Sequence, residues 1–344
     1  MSKKLRETGI AMVILAVMML TAACGGSQGS SSSSSSSSNG QVAAIIKGLD
    51  NPFFQAMQQG IQNQAKVLSI NVTVQAATSI TDTTGQADKL QAVAGQNYGC
   101  YIVNPISGTN LVQPLVPISQ ANKPIVNIDN PISTDAAQSA GLKISTYIGT
   151  DNVSAGKLAA SEMAKLLPNG GDVALIGGIA GDVTSQARLT GFQEGLPSNI
   201  RVVQTVAADW VRQEALTDAG NILRARPTLK GFFVANDDMG LGVSRAISDA
   251  GKQGQVQVVS VDGIQDALKA VQAGTLSATV SQYPYTIGAM GVEACKAAMA
   301  GKTLPTKVTA PVLLVTKDNA AQALSSFPKP FTSYSDPFTT LNGK

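Results

Sequence analysis

Residues 42–54 read VAAIIKGLDNPFF. An apolar run, a short turn, Asn51 as a helix N-cap and Pro52 as a first helical residue describe a buried strand feeding directly into a helix. Met57, Ile61, Ala65 and Leu68 then recur at helical spacing. The same unit repeats along the chain. Further strands are expected at Asn71–Gln75, Cys100–Val103, Ile125–Asn127, Tyr147–Gly149, Val173–Ile176, Arg201–Val206, Gly231–Val234, Val256–Val259 and Ser277–Val280, with helices between them. Strand–helix alternation predicts an α/β protein with parallel sheets covered on both faces. Ten strands in two similar half-chains predict two doubly wound lobes rather than one very wide sheet.

The composition removes whole classes of chemistry. The 344 residues contain no histidine, so the usual general base near neutral pH, the commonest zinc ligand and a Ser-His-Asp constellation are all missing. Lys and Arg number 25 against 22 Asp and Glu, a net +3 that predicts no nucleic-acid partner. Cys24, Cys100 and Cys295 have no C-x-x-C spacing, and Cys100 and Cys295 read as small core residues rather than a disulfide. No metal and no cofactor is expected. The turn Gly177-Gly178-Ile179-Ala180-Gly181 lacks both the Lys-Ser/Thr of a P-loop and the G-x-G-x-x-G order, so it reads as a tight strand-to-helix turn.

At the N-terminus Lys3, Lys4 and Arg6 precede the apolar stretch Ile10 to Leu20, then Thr21-Ala22-Ala23-Cys24. This is the order of a secretory signal over residues 1–23. Its apolar stretch would rise about 16 Å as a helix, too short for a hydrocarbon core of about 30 Å. Cys24 directly after small residues resembles a bacterial lipobox, whose thiol is acylated; a free Cys24 behind an ordinary signal is the competing reading. Residues 24–40, with serines from 30 to 38, read as a flexible tether. A globular protein held by lipid on the extracytoplasmic face is the expected location.

In a doubly wound sheet the crevice beyond the strand C-termini is the default ligand site. Polar residues stand at those positions: Asn51, Asp129-Asn130, Asn236-Asp237 and Asp262-Gly263. Phe53 and Phe54 are adjacent on one helix and point about 100° apart, so at least one ring should face the crevice.

With Gly149-Thr150-Asp151-Asn152, Arg188-Leu189-Thr190-Gly191-Phe192, Asn236-Asp237-Asp238-Met239, Val261-Asp262-Gly263 and Ser281-Gln282-Tyr283-Pro284 in this order, the chain from about Val42 to Thr316 resembles the periplasmic sugar-binding proteins of the ribose/galactose type. These are receptors of ABC importers that share a core with LacI-type repressors. The resemblance implies two lobes joined by hinge crossovers near Thr150, Gln282 and Pro311: residues 41–150 plus 283–311, and 151–282 plus 312–326. Residues 327–344 form a tail, either an extended strap or loose chain. The resemblance further implies a ligand set of Asn51, Phe53, Phe54, Asp129 and Asn130 from one lobe, with Gln186, Trp210, Asn236, Asp262 and Gln282 from the other lobe and the hinge. Flat aromatics suit the C–H faces of a monosaccharide or sugar alcohol, and amides and carboxylates suit its hydroxyl rim. The ribose branch carries arginines where this chain has Asn130 and Gln186, which puts ribose itself in doubt, and Arg188 reads as a structural partner. The expected role is a monomeric binding protein delivering ligand to a permease. The alternative is a sensor presenting ligand to a membrane receptor. An enzyme is disfavoured because Asp129 and Asp262 should sit on opposite lobes, and a LacI-type regulator would need a helix-turn-helix before the core. Amino-acid ligands are disfavoured because the implied pocket lacks a Lys or Arg for an α-carboxylate.

Overall fold

The computed structural model describes residues 40–343. The signal segment, Cys24 and the serine tether up to Asn39 lie outside the described residues. Four strand–helix units and a fifth strand build most of the first sheet: β1 (Gln41–Ile46), α1 (Pro52–Leu68), β2 (Asn71–Ala76), α2 (Thr83–Ala94), β3 (Cys100–Val103), α3 (Val112–Gln120), β4 (Ile125–Ile128), α4 (Thr134–Ser139) and β5 (Thr146–Gly149). Five helix–strand units build most of the second: α5 (Asn152–Leu166), β6 (Gly171–Gly177), α6 (Val183–Gly195), β7 (Ile200–Ala207), α7 (Arg212–Ala225), β8 (Gly231–Val234), α8 (Asp237–Asp249), β9 (Gln257–Asp262), α9 (Gln265–Ala273) and β10 (Ala278–Ser281). The chain then returns through α10 (Pro284–Met299) and β11 (Lys307–Thr309) to the first sheet. It ends with β12 (Leu313–Val315) in the second, α11 (Ala320–Ser326) and α12 (Pro337–Leu341).

The strand orders are β11-β5-β4-β3-β1-β2 and β12-β10-β9-β8-β6-β7. This is the two-lobed α/β architecture that the alternation predicted. The chain passes between sheets at 150–151, 282–283 and 310–312, all beside the edges formed by β5, β11, β10 and β12. One detail departs from wholly parallel sheets. Strand β12 pairs antiparallel with β10, because the three-residue link from β11 brings the chain in against the direction of its new neighbours.

Local chemistry explains the first unit well. Asn51 Oδ1 accepts the Phe53 amide at 2.9 Å, Pro52 occupies the first turn, and Ser69 closes α1 in the left-handed region. Helix α1 lies unusually close to α10. A Cβ on Gly60 would stand 2.0 Å from the Tyr285 carbonyl oxygen, and one on Gly288 would stand 2.4 Å from the Met57 carbonyl.

Cys100, at the start of β3, and Cys295, in α10, form a disulfide with a Cα–Cα distance of 5.6 Å. The expectation of two unpaired core cysteines is therefore corrected. They are 195 residues apart, and only the return of α10 across β3 brings them together. Residues 327–343 are packed rather than loose: α12 lies on α10 and Phe338 is fully buried.

A crosslink closing so long a loop restricts the unfolded chain and stabilises by about 2–4 kcal/mol. Cys100→Ala with Cys295→Ala should therefore lower the melting temperature by about 5–10 °C in a thermal scan. Alkylation of the unfolded, unreduced parent should leave both cysteines unlabelled.

Candidate functional site

The strand C-termini of both sheets meet at a cavity that is partly continuous with solvent and enclosed by side chains of both lobes. From the first lobe it is lined by Lys47, Asn51, Phe53, Phe54, Ile80, Ile106 and Asp129; from the second, by Ile179, Thr184, Arg188, Trp210, Asn236 and Asp262. Seven of the sequence-derived residues are thus brought together: Asn51, Phe53, Phe54, Asp129, Trp210, Asn236 and Asp262.

Each is placed by identifiable local chemistry. The two phenylalanines meet edge to face with centroids 5.2 Å apart, and both rings reach the cavity. Asn51 and Asn236 spend Oδ1 on capping α1 and α8, at 2.9 Å in each case, which leaves each Nδ2 donor for the cavity. Trp210 follows β7 in a left-handed backbone conformation, φ 66°, after Asp209 at φ 47°. Its indole lies flat on Gly178, where a Cβ would come within 2.1 Å of the ring. That contact explains why residue 178, directly after β6, is glycine.

Asp262 ends β9 at φ 138°, and its Oδ1 accepts from Gln282 Nε2 at 2.7 Å and Arg188 Nη1 at 3.3 Å. The Arg188 guanidinium also donates to Asn152 Oδ1 at 2.8 Å and to the Ala235 carbonyl at 2.6 Å, and lies 5.7 Å from the Trp210 ring. Behind them Asp237 is fully buried. It accepts from the hydroxyls of Ser260 and Thr279 and from the amides of Gly263 and Ile264, so it clamps the turn that carries Asp262. Burial pushes the Asp262 carboxyl well above the usual carboxylate range; Arg188 opposes the shift, and Asp237 adds to it. Burial likewise raises Asp129, against the positive charges of Lys47 and Arg188. Asp129 sits at φ 60°, where the Tyr147 hydroxyl donates to its carbonyl oxygen at 2.6 Å.

Three expected residues do not line the cavity. Gln186 is exposed on the outer side of α6, beside an open surface groove. Thr184 and Arg188, four residues apart, share the inward face, and a residue midway between them points away. Gln282 is buried in the hinge and acts on Asp262. Asn130 is buried, with its Nδ2 donating to the carbonyls of Pro105 and Ile106, both at 3.1 Å. Two further readings are corrected. Arg188 is a lining residue as well as a partner of Asp262, and the cavity contains two cations, Lys47 and Arg188, where none was expected. Lys47 had a legible signal, since it directly follows β1, and its Nζ lies 5.4 Å from the Phe54 ring centroid. Among the described residues, no cluster of three or more His, Cys, Asp or Glu could hold a metal ion.

Residues 42–303 match the model of the periplasmic binding protein domain family. The D-allose-binding periplasmic protein of Escherichia coli is 38% identical over 269 residues, 77% of this chain and 86% of that protein. The ribose import binding protein of the same organism is 31% identical over 277 residues, 80% of this chain and 90% of that protein. Among solved structures, an ABC transporter solute-binding protein of Actinobacillus succinogenes with bound D-allose superposes with TM-score 0.78. It is 29% identical, over 82% of this chain and 99% of that one. One from Bacillus halodurans with bound myo-inositol gives 0.76 at 25% identity, over 83% and 98%.

Because Asp262, Asp237 and Asp129 are all raised above the value of about 4 that a carboxylate has in the unfolded chain, the folded protein holds the extra protons. That stability is present at low pH and is lost as pH climbs through the raised values. The melting temperature of the ligand-free protein should fall between about pH 5 and pH 7.5, and the slope should be shallower in Asp262→Asn.

Proposed function

Because this chain belongs to the periplasmic binding protein domain family, we propose that it captures one monosaccharide or sugar alcohol between its lobes and delivers it unaltered to an ABC permease. The observation that carries this reading is the convergence of Asp129 and Asp262 from opposite sheets on one cavity walled by Phe53, Phe54 and Trp210. Hydroxyls both donate and accept, so a polyol satisfies carboxylates, amide donors and cations at once, while its C–H faces lie on the rings.

The ligand class follows from the chemistry present. Neither Asn130 nor Gln186 reaches the cavity. Lys47, directly after β1, and Arg188, from α6, supply the positive charge of the cavity. D-Allose, named for the Escherichia coli relative and bound in the Actinobacillus succinogenes structure, is the first candidate, ahead of D-ribose and myo-inositol. Capture without turnover fits the same geometry, because Asp262 is already engaged by Arg188 and Gln282. The lobes, 41–150 plus 283–311 and 151–282 plus 312–326, are the bodies that close on the ligand. We place the protein as a monomer on the extracytoplasmic face, anchored by an acylated Cys24. The support is the basic, apolar and small-residue order before Cys24 and the serine tether after it.

Trp210 is the only tryptophan in the chain, so its fluorescence reports directly on the cavity. D-Allose, D-ribose or myo-inositol should change Trp210 emission and raise the melting temperature, and above about pH 8, where Asp262 is ionised, Asp262→Asn should weaken binding about 10-fold by removing a charge-assisted hydrogen bond. Recovered sugar should be chemically unchanged. A response to an amino acid or nucleoside, with none to any sugar or polyol, would overturn the ligand class. Cys24→Ala expressed in a bacterial host should move the protein from the membrane to the soluble fraction.

A further inference from the structure

Asn130 stood in the implied ligand set, yet its side chain is turned away from the cavity and committed elsewhere. Both hydrogens of its Nδ2 are donated within its own lobe, to the carbonyls of Pro105 and Ile106. Its backbone is fixed as well, because Asn127 Nδ2 donates to the Asn130 carbonyl at 2.9 Å while Asn127 Oδ1 accepts from the Ile132 amide at 2.9 Å. The amide plane therefore has one orientation, and Oδ1 faces the other lobe. There the Thr184 hydroxyl, in the first turn of α6, donates to it at 3.0 Å.

Residue 130 follows β4 of the first sheet, and residue 184 follows β6 of the second, so this bond exists only while the lobes are together. Among the described residues it is the one side-chain hydrogen bond that spans the cleft. An arginine at 130 has five donors and no acceptor, and could not take the threonine proton. We propose that Asn130 and Thr184 form a closing latch: Asn130, which does not line the cavity, is a pre-set acceptor, Thr184 is its donor, and their bond holds the closed form independently of any contact Thr184 makes with ligand. This rests on the reading of the protein as a two-lobed binder. It assigns Asn130 a role in closure and Thr184 a positioning role beyond its place in the cavity wall.

A bond made only in the closed state acts on opening, so its loss appears in dissociation rather than association. The probe is the tightest binder among D-allose, D-ribose and myo-inositol. By stopped-flow Trp210 fluorescence, Thr184→Val should speed dissociation about fivefold with association unchanged, the effect of one neutral hydrogen bond. Asn130→Ala should do the same, and the double variant should dissociate no faster than the faster single variant, because both remove one interaction. If Thr184 only touches the ligand and Asn130 only braces its loop, the two effects multiply. Small-angle scattering without ligand should give Thr184→Val a larger radius of gyration than the parent. Multiplying effects, or ligand-free curves that coincide, overturn the latch. A parent that binds no sugar while Thr184→Val still expands would sink the functional reading and leave the latch standing.

Discussion

A parallel strand delivers its C-terminus to one edge of its sheet, and every group in the cavity depends on that direction. Lys47 and Asn51 follow β1, Ile106 follows β3 and Asp129 follows β4; Ile179, Trp210 and Asn236 follow β6, β7 and β8, and Asp262 closes β9. No two of these elements need be neighbours in sequence. Once both sheets wind the same way and the crossings lie along shared edges, the two sets of strand ends face each other across a gap.

Setting charges into that gap works against stability. Asp129 and Asp262 are desolvated, and Asp129, Trp210 and Asp262 sit at positive φ, a conformation that costs about 1–3 kcal/mol for a residue with a side chain. The surroundings over-determine each of them. Asp237 takes four hydrogen bonds to hold the β9–α9 turn, Tyr147 ties down the Asp129 carbonyl, and the bare face of Gly178 receives the indole. Arg188 serves two purposes at once: it balances Asp262 and stacks beside Trp210, so the polar rim and an aromatic wall are fixed by one side chain.

Rigid lobes and short links divide the labour. In the first lobe, α1 and α10 approach at Gly60 and Gly288, and the Cys100–Cys295 bond ties α10 to β3, so the return helix cannot slide over its sheet. The hinge is two or three residues long at each crossing, and the strap from α11 to α12 ends on α10.

The amino-acid sequence alone determined the alternation of strands and helices, the capped start of α1, the two-lobed class and the strand-end residues Asn51, Asp129, Asn236 and Asp262, while Trp210 entered through the family resemblance. Those features are local or follow from strand direction: a cap needs its own next residues, and a strand end is visible as the place where an apolar run meets Asn or Asp. What only the tertiary structure decided concerns partners distant in sequence. The spacing of α6 placed Thr184 and Arg188 inward and Gln186 outward, a matter of helix rotation that a family position does not carry. Pairing of Cys100 with Cys295 required α10 to return across β3. The commitment of Asn130 to Pro105, Ile106 and Thr184 required three separate elements to meet, because a side chain's direction is set by which donors and acceptors surround it in the folded state.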